Sequence, residues 1–495
     1  MNSPPHSPLL RSKFFWIAVL YFAEGFPLGV FYEIFPVYFR QQGVDLRNIG
    51  ALSLLGLAWT LKFLWAPAVD RFRHHRRWMA AADLGMGAVM IAFAAATGLP
   101  HWVWAAIAVF ALLSATNDIA IDGYTIELLR RDEMGRGNGL RIGFYRAGMI
   151  ASGGVLMASD WLGWPGAFAC AAAVFVLCAG ACLLAPREPA RAHLPSLGLV
   201  AEIRAFLAQP RGAAALALVC AGTLWLADGA LAFSAQRPWL WPSLAVACAA
   251  AYGLLRLIGK RDEKQNQTAR QGEASAGEAP AGALFGALTD MMQRPGILPV
   301  LAFVLIFKLG DASMGFMIKP FWVDAGFSAS EIGLVSVNLG LALSVAGGLT
   351  GGWYADRAGI FKALWVLGLA QAVSNLAYAL AAWVIPLGAV PLPSHRALIY
   401  AASALESFTG GLGTAAFLAF LMAIVRREHS AAEYALLSSV FAASRSVAGW
   451  AGGLGAQAIG YGPYFLLTFF LAFPAYLLLP WVRRMLDAQA WREDG

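Results

Sequence analysis

The sequence predicts an all-α polytopic membrane protein, and three observations carry that prediction. Of 495 residues, 59% are hydrophobic and 13% are charged, against about 25% charged in an ordinary soluble domain. The mean hydropathy is +0.62. The apolar residues also gather into runs of about 20, the length that crosses a bilayer as a helix.

Taken in order, about fourteen spans are expected, at 14–38, 46–69, 78–97, 102–128, 138–159, 164–185, 212–234, 239–258, 296–322, 331–354, 362–386, 396–425, 433–457 and 462–482. Arg11 and Lys13 ahead of the first apolar run mimic a signal peptide, but no convincing cleavage site follows, so the run is kept as the first span. The excess of Lys+Arg (36) over Asp+Glu (29) lies in short loops beside apolar runs, where it reads as a topology signal and not as a nucleic-acid surface. One set of alternate loops and tails holds most of the basic residues, among them Arg71, Arg76, Arg130, Arg187, Arg357, Arg426 and Arg483; the opposite set holds Arg40, Arg47, Arg237 and Arg396. Both termini are therefore expected in the cytoplasm. The five cysteines fall within apolar runs without a metal-type pair, and the seven histidines lie in tails and loops. Zinc chemistry and a Ser-His-Asp arrangement at membrane depth are not expected.

The two ends of the chain repeat each other. Gly43 and Gly50 follow the first span with the spacing that Gly326 and Gly333 show after the ninth, and each pair precedes a span ending in Asp-Arg, Asp70-Arg71 and Asp356-Arg357. Arg146 precedes Gly153 and Gly154 as Arg445 precedes Gly452 and Gly453. The repeat implies an N-terminal six-helix bundle at 1–186 and a C-terminal one at 296–495, with two inserted helices (212–258) and linkers in 187–295. The hydrophilic stretch 260–280 reads as a cytoplasmic loop.

Ionisable residues inside apolar runs are the candidate functional residues, because charge at membrane depth is expensive. Asp118 and Asp122, four apart on a predicted helix, share a face. They suit proton binding and release, or a permanent ion pair with Arg146 or another buried cation. Glu127, beside Arg130 and Arg131, suits a gate salt bridge. Glu24 and Glu33 lie on different faces of the first helix, so at least one is expected to face the cavity, and both are candidates for ligand binding; Glu33 suits selection of a cationic or hydroxyl-rich ligand, or satisfaction by water or Arg40. Lys308 and Asp311 can pair with each other or bind ligand, and Glu406 with Asn375 offers a matching polar wall in the second bundle. Arg146 and Arg445 suit a bidentate hold on an anionic ligand or neutralisation of buried carboxylates. Lys62 is expected to snorkel or pair. Asp70-Arg71 and Asp356-Arg357 read as latches of an inward gate, and Gly153, Gly347, Gly351, Gly410 and Gly452 as packing devices.

The stretch Gly352 to Gly359, reading Gly-Trp-Tyr-Ala-Asp-Arg-Ala-Gly, resembles the cytoplasmic loop signature of the major facilitator superfamily. The copy at Ala66 to Arg71 has alanine in place of the first glycine. Leu61 to Pro67, Ser114 to Glu127, Lys308 to Asp311, Gln371 to Asn375, Glu406 with Gly410 to Phe417, and Ala435 to Ser438 with Arg445 resemble the AmpG muropeptide permeases, in the right order over most of the chain. The resemblance implies the major facilitator fold in a bacterial inner membrane. The activity it implies is proton-driven import of anhydro-muropeptides built on N-acetylglucosamine and anhydro-N-acetylmuramic acid. It also makes Glu406 a second proton candidate and places Asn117 where that family often carries glutamine, the same amide chemistry on a shorter reach. Phe31, Tyr32 and Glu33 stand where small and hydroxyl residues are usual, which narrows or reshapes the cavity.

The expected protein is thus a monomeric, multi-pass transporter and not an enzyme, using the proton gradient and no cofactor. Its partners are the lipid bilayer and an anionic sugar-peptide, with no nucleic acid. A siderophore or another bulky anion is the alternative ligand; wider relatives of the family include siderophore importers and acetyl-coenzyme A transporters. A membrane sensor or intramembrane synthase is the reading from another class, and neither an appended signalling domain nor a nucleophile or metal set at depth supports it.

Overall fold

The computed structural model describes residues 12–62, 65, 69, 74–96, 98–129, 134–187, 291, 294–425 and 430–493, without the side chains of 126, 127, 134–139, 142, 430–433, 435, 436 and 489–493. The chain divides into two units, Met1–Arg191 with Leu301–Ile424 and Ser438–Gly495, and Ala192–Val300 with Val425–Leu437. The contacts that build the cavity and the buried polar clusters lie within the first.

Each regular element among the described residues is helical. In chain order they are α1 (Lys13–Gln41), α2 (Leu46–Leu61), α3 (His75–Ala95), α4 (Val103–Leu128), α5 (Met134–Leu184), α6 (Ile297–Asp324), α7 (Ala329–Ala358), α8 (Ile360–Val384), α9 (Pro393–Ala423), α10 (Ser430–Ile459) and α11 (Tyr461–Ala488). Nine helices among the described residues are long and apolar enough to cross a membrane. The difference from about fourteen has identifiable sources. The expected spans 138–159 and 164–185 are legs of α5, divided at Gly163 (φ 67°). The span 46–69 is described as a helix only to Leu61. α10 is rich in Ser, Gly and Ala and carries Arg445, so it falls short of the others in hydropathy. The spans 212–234 and 239–258 and the linker 260–280 lie outside the described residues. Outward leucines such as Leu177 (72% exposed), Leu184 (76%) and Leu349 (72%) are largely uncovered by protein. On helices of this length they are the surface offered to lipid, and the chain is a multi-pass membrane protein.

The glycine repeat of the sequence is a structural repeat. Gly43 and Gly326 both take φ near +80° (81° and 82°), closing the first helix of each half. Two residues later a side-chain cap starts the next helix: Asp45 accepts from the Asn48 amide, and Ser328 forms a capping box with Glu331. One turn further in, Gly50 and Gly333 each press against the opposite half. A Cβ on Gly50 would lie 2.7 Å from the Gly453 Cα, and one on Gly333 would lie 2.7 Å from the Gly153 carbonyl oxygen. Side chains are excluded there because the backbones touch.

These contacts seal one end of the molecule. The halves share a core there, built from Phe31, Phe35 and Phe39 of α1 with Met314, Phe321 and Trp322 of α6. Arg40 grips Asp324 through two bonds, Nε to Oδ1 at 2.5 Å and Nη2 to Oδ2 at 2.7 Å, while the Tyr461 hydroxyl donates to Asp324 at 2.7 Å. The Leu46 amide donates to Gln457 at 3.1 Å, and the Ser53 hydroxyl donates to the Ser446 carbonyl at 2.6 Å. At the other end the core of Trp16, Ile17, Tyr21, Met79 and Ile121 is drawn from the first half alone.

Substituting Gly453 with Val forces a branched side chain into the Gly50 backbone. Overpacking of this kind costs about 1–3 kcal/mol. Gly453→Val is expected to lower the thermal unfolding midpoint of the purified protein by several degrees, whereas Gly154→Val, at a glycine with open space around it, leaves it in place; equal midpoints contradict the close approach.

Candidate functional site

Between the halves lies a cavity of ≈ 320 Å³, lined among others by Tyr32, Glu33, Tyr145, Arg146, Lys308, Asp311, Phe316, Lys319, Ser336, Glu406 and Arg445. Helix irregularities bring the charged groups to it. α1 carries Pro27 and then a π-helical turn, Val30–Ile34, which holds Glu33; α7 carries a π segment, Ile332–Leu339, which holds Ser336. Such segments shift the side-chain register and cluster at functional sites. α6 is interrupted between Ile306 and Leu309, and Lys308 sits at the break with φ −97° and ψ 13°.

Lys319 joins the two π segments. Its Nζ lies 2.9 Å from Glu33 Oε2 and donates to Ser336 Oγ at 2.7 Å. Lys308 pairs with Asp311 at 3.1 Å and donates to Thr414 at 2.8 Å. Glu406 accepts from Ser407 at 3.2 Å. Gly410, expected to pack, instead opens on the cavity: its added Cβ would meet only Glu406 and Asp311, at 3.8 and 3.9 Å. The Arg445 guanidinium lies 5.0 Å from the Tyr32 ring centre, a cation–π contact. No carboxylate among the described residues pairs with Arg146 or Arg445 at ion-pair distance.

A second polar cluster is buried inside the first half. Asp118 lies 3.6 Å from Lys62, and Asp122 lies 3.2 Å from Arg141 while accepting from the Tyr21 hydroxyl at 3.0 Å. The cations expected to meet these aspartates are thus Lys62 and Arg141, and Arg146 faces the cavity instead. Glu24 belongs to this cluster and is absent from the cavity lining; it is 4% exposed, and its Oε2 has no hydrogen-bond partner. Asn117 turns to Asp83, donating at 3.0 Å, and Asp83 also takes the Cys182 thiol at 3.6 Å. Asn375 donates to Thr468 at 3.1 Å behind the cavity wall. Glu33 meets Lys319, and Arg40 is engaged by Asp324.

Of the gate residues, Asp356 and Arg357 are exposed, and the Arg357 guanidinium stacks 4.3 Å from the Trp353 ring centre. Asp70, Arg71 and the Glu127 side chain lie outside the described residues. Lys319, Arg141, Tyr21 and the Arg40–Asp324–Tyr461 clasp are not singled out by the sequence pattern. Lys319 nonetheless carries a signal: it follows Lys308 by about three helical turns on one face of an apolar span, and each lysine there needs a partner.

Helical halves around a charged, aromatic-lined cavity that is sealed at one end define the class: the protein is a membrane transporter. The chain belongs to the Major Facilitator Superfamily, whose family model matches residues 17–391. It is similar to the anhydromuropeptide permease of Escherichia coli (strain K12), 27% identical over 487 residues that cover 95% of this chain and 80% of that protein. Among solved structures it is similar in fold to a bacterial homolog of the human lysosomal transporter Spinster, in an inward-facing, unoccupied conformation (TM-score 0.64, 12% identity, 98% of this chain and 99% of that one). It is likewise similar to an auto-inhibited peptide transporter of the POT family (TM-score 0.62, 17% identity, 96% of each chain).

Breaking a buried ion pair from one side costs about 3–5 kcal/mol, because the abandoned charge stays buried. Lys319→Met and Glu33→Gln are each expected to destabilise the protein, and the double variant is expected to recover most of the loss. Strictly additive losses in a double-mutant cycle contradict the pairing.

Proposed function

We propose that this protein imports anhydro-muropeptides, N-acetylglucosaminyl-anhydro-N-acetylmuramyl peptides, across a bacterial inner membrane in symport with protons, for peptidoglycan recycling. The observation that carries the reading is the pair of cavity arginines, Arg146 and Arg445, left without carboxylate partners among the described residues. Two such guanidiniums at bilayer depth call for an anion from outside the chain, and the peptide carboxylates supply it. Tyr32 and Phe316 stand beside them, the apolar and aromatic lining typical of an organic-ligand site. Asp311 and Glu406, which also line the cavity, suit the ammonium groups of the peptide. The similarity to a permease named for anhydromuropeptides supports the choice of solute.

Transport follows by rocking the halves 1–186 and 296–495 about the bound solute. With both termini cytoplasmic, the end clasped by Arg40, Asp324 and Tyr461 faces the periplasm, and the conformation is inward-facing. Opening that clasp on the periplasmic side admits the solute; Asp70-Arg71, Glu127 and Asp356-Arg357 close the cytoplasmic side in turn. Asp118, Asp122 and Glu406 take up and release the coupling proton, because a carboxyl whose surroundings alternate between dry and wet changes its proton affinity. The protein works as a monomer without cofactor. Another bulky polycarboxylate, such as a siderophore, satisfies the same arginines and is the competing solute.

The test is uptake into proteoliposomes under an imposed pH gradient. Radiolabelled anhydro-muropeptide is expected to accumulate, and Arg445→Gln is expected to raise its KM roughly tenfold to a hundredfold, the equivalent of a lost charged hydrogen bond of about 1.5–3 kcal/mol. Gradient-driven uptake of a siderophore with none of the muropeptide contradicts the assignment.

A further inference from the structure

Among the described residues, the buried cluster of the first half holds more acid than base. Tyr21 and Glu24 come from α1, Lys62 follows α2, Asp118 and Asp122 come from α4, and Arg141 and Tyr145 come from α5. Asp122 and Arg141 neutralise each other at the more exposed side of the cluster, with side chains 29% and 44% exposed. Lys62 neutralises Asp118, whose side chain is 7% exposed. Glu24 remains. Its electrostatic neighbours are Asp118, Asp122, Arg141 and Lys62, yet among the described residues no cation stands at ion-pair distance from it, and Oε2 is unbonded in a setting 4% exposed. Among the described residues, His75, buried against Gly123 of α4, and Asp83 of α3, behind Asn117, also lie nearby.

An ionised carboxylate without partner or hydrogen bond in such a place costs so much that it takes a proton instead. We infer that Glu24 is the resident proton-binding site of the first half in this conformation, with Lys62 setting which of Glu24 and Asp118 stays ionised. This deepens the proton-coupled reading above and rests on it for the role in transport, though the site itself is defined without any solute. Release breaks only the Glu24 O–H bond and passes the proton to water by way of the exposed Asp122 side; no electrons move. When Lys62 turns from Asp118 to Glu24, the proton belongs on Asp118. Thus the proton follows the position of one lysine.

The test reads the proton directly. Infrared spectra of the purified protein in lipid nanodiscs at neutral pH are compared for wild type and Glu24→Gln, with glutamate or aspartate carrying a carbon-13 carboxyl label. A protonated carboxyl C=O band is expected in the wild type, shifted by the glutamate label, untouched by the aspartate label, and absent from Glu24→Gln; Asp83 and Glu406 contribute equally to both and cancel in the difference. No difference between the two proteins, or a difference band that moves with the aspartate label, overturns the inference. Should Glu24→Gln not fold, Lys62→Met serves: loss of the cation adds a second band sensitive to the aspartate label, and its absence overturns the inference. Both spectra are taken without substrate, so a failure of muropeptide uptake leaves this test intact, and the two claims fall separately.

Discussion

A charge in the bilayer interior must be neutralised, by a partner, a proton or a ligand, and that constraint accounts for most of the polar architecture. Arg40 is neutralised by Asp324, Lys319 by Glu33, Lys308 by Asp311, Asp118 by Lys62 and Asp122 by Arg141. The first three of these pairs and the last also take a hydroxyl, which satisfies remaining lone pairs and protons. The residues left over are the informative ones. Among the described residues Arg146 and Arg445 have no carboxylate at ion-pair distance in the cavity, and Glu24 in the first half and Glu406 in the cavity have no cation at that distance. On the proposed reading a missing anion is met by solute and a missing cation by a proton, so the two imbalances correspond to the two things a symporter would carry.

Backbone irregularity places these groups. A straight α-helix repeats its faces every 3.6 residues and would distribute Glu33, Ser336 and Lys308 by that period alone. The π turn after Pro27, the π segment of α7 and the break at Lys308 re-aim them toward one cavity. The glycine contacts act in the opposite sense: Gly50 on Gly453 and Gly153 on Gly333 bring flat backbone surfaces together at the sealed end. Flat surfaces can part and slide without unlocking side chains, so rigid rocking is compatible with a well-packed interior. The Arg40–Asp324–Tyr461 clasp adds charged hydrogen bonds across that seam near its end.

Much of the fold was legible because span length and hydrophobicity are local properties. The runs at 78–97, 102–128, 362–386 and 396–425 match helices His75–Ala95, Val103–Leu128, Ile360–Val384 and Pro393–Ala423 closely, and the Gly43/Gly326 repeat marked equivalent turns. The division of α5 was legible too, because Gly163 and Pro165 mark the break that separates its legs 138–159 and 164–185. Pairings were much less legible. Asp118 and Asp122 were found by their cost, yet their partners Lys62 and Arg141 come from helices whose rotation no single-chain pattern encodes. Glu24 and Asn375 were singled out as ligand-facing candidates, but one stands in the first-half cluster and the other behind the cavity wall. Which face of a helix meets the cavity is decided by packing, and packing is not local.

The central claim, that solute and proton enter one charge balance, is tested most directly by calorimetric titration of the purified protein with anhydro-muropeptide in buffers of different ionisation enthalpy. Glu24 holds its proton before solute arrives, so the exchange is read at the cavity: on the proposed reading Glu406 takes up a proton from the buffer as the anion binds, and the observed binding enthalpy varies linearly with buffer enthalpy, with a slope that reports proton uptake. Binding with a slope of zero would show that the solute and the proton ignore each other, and would contradict the account.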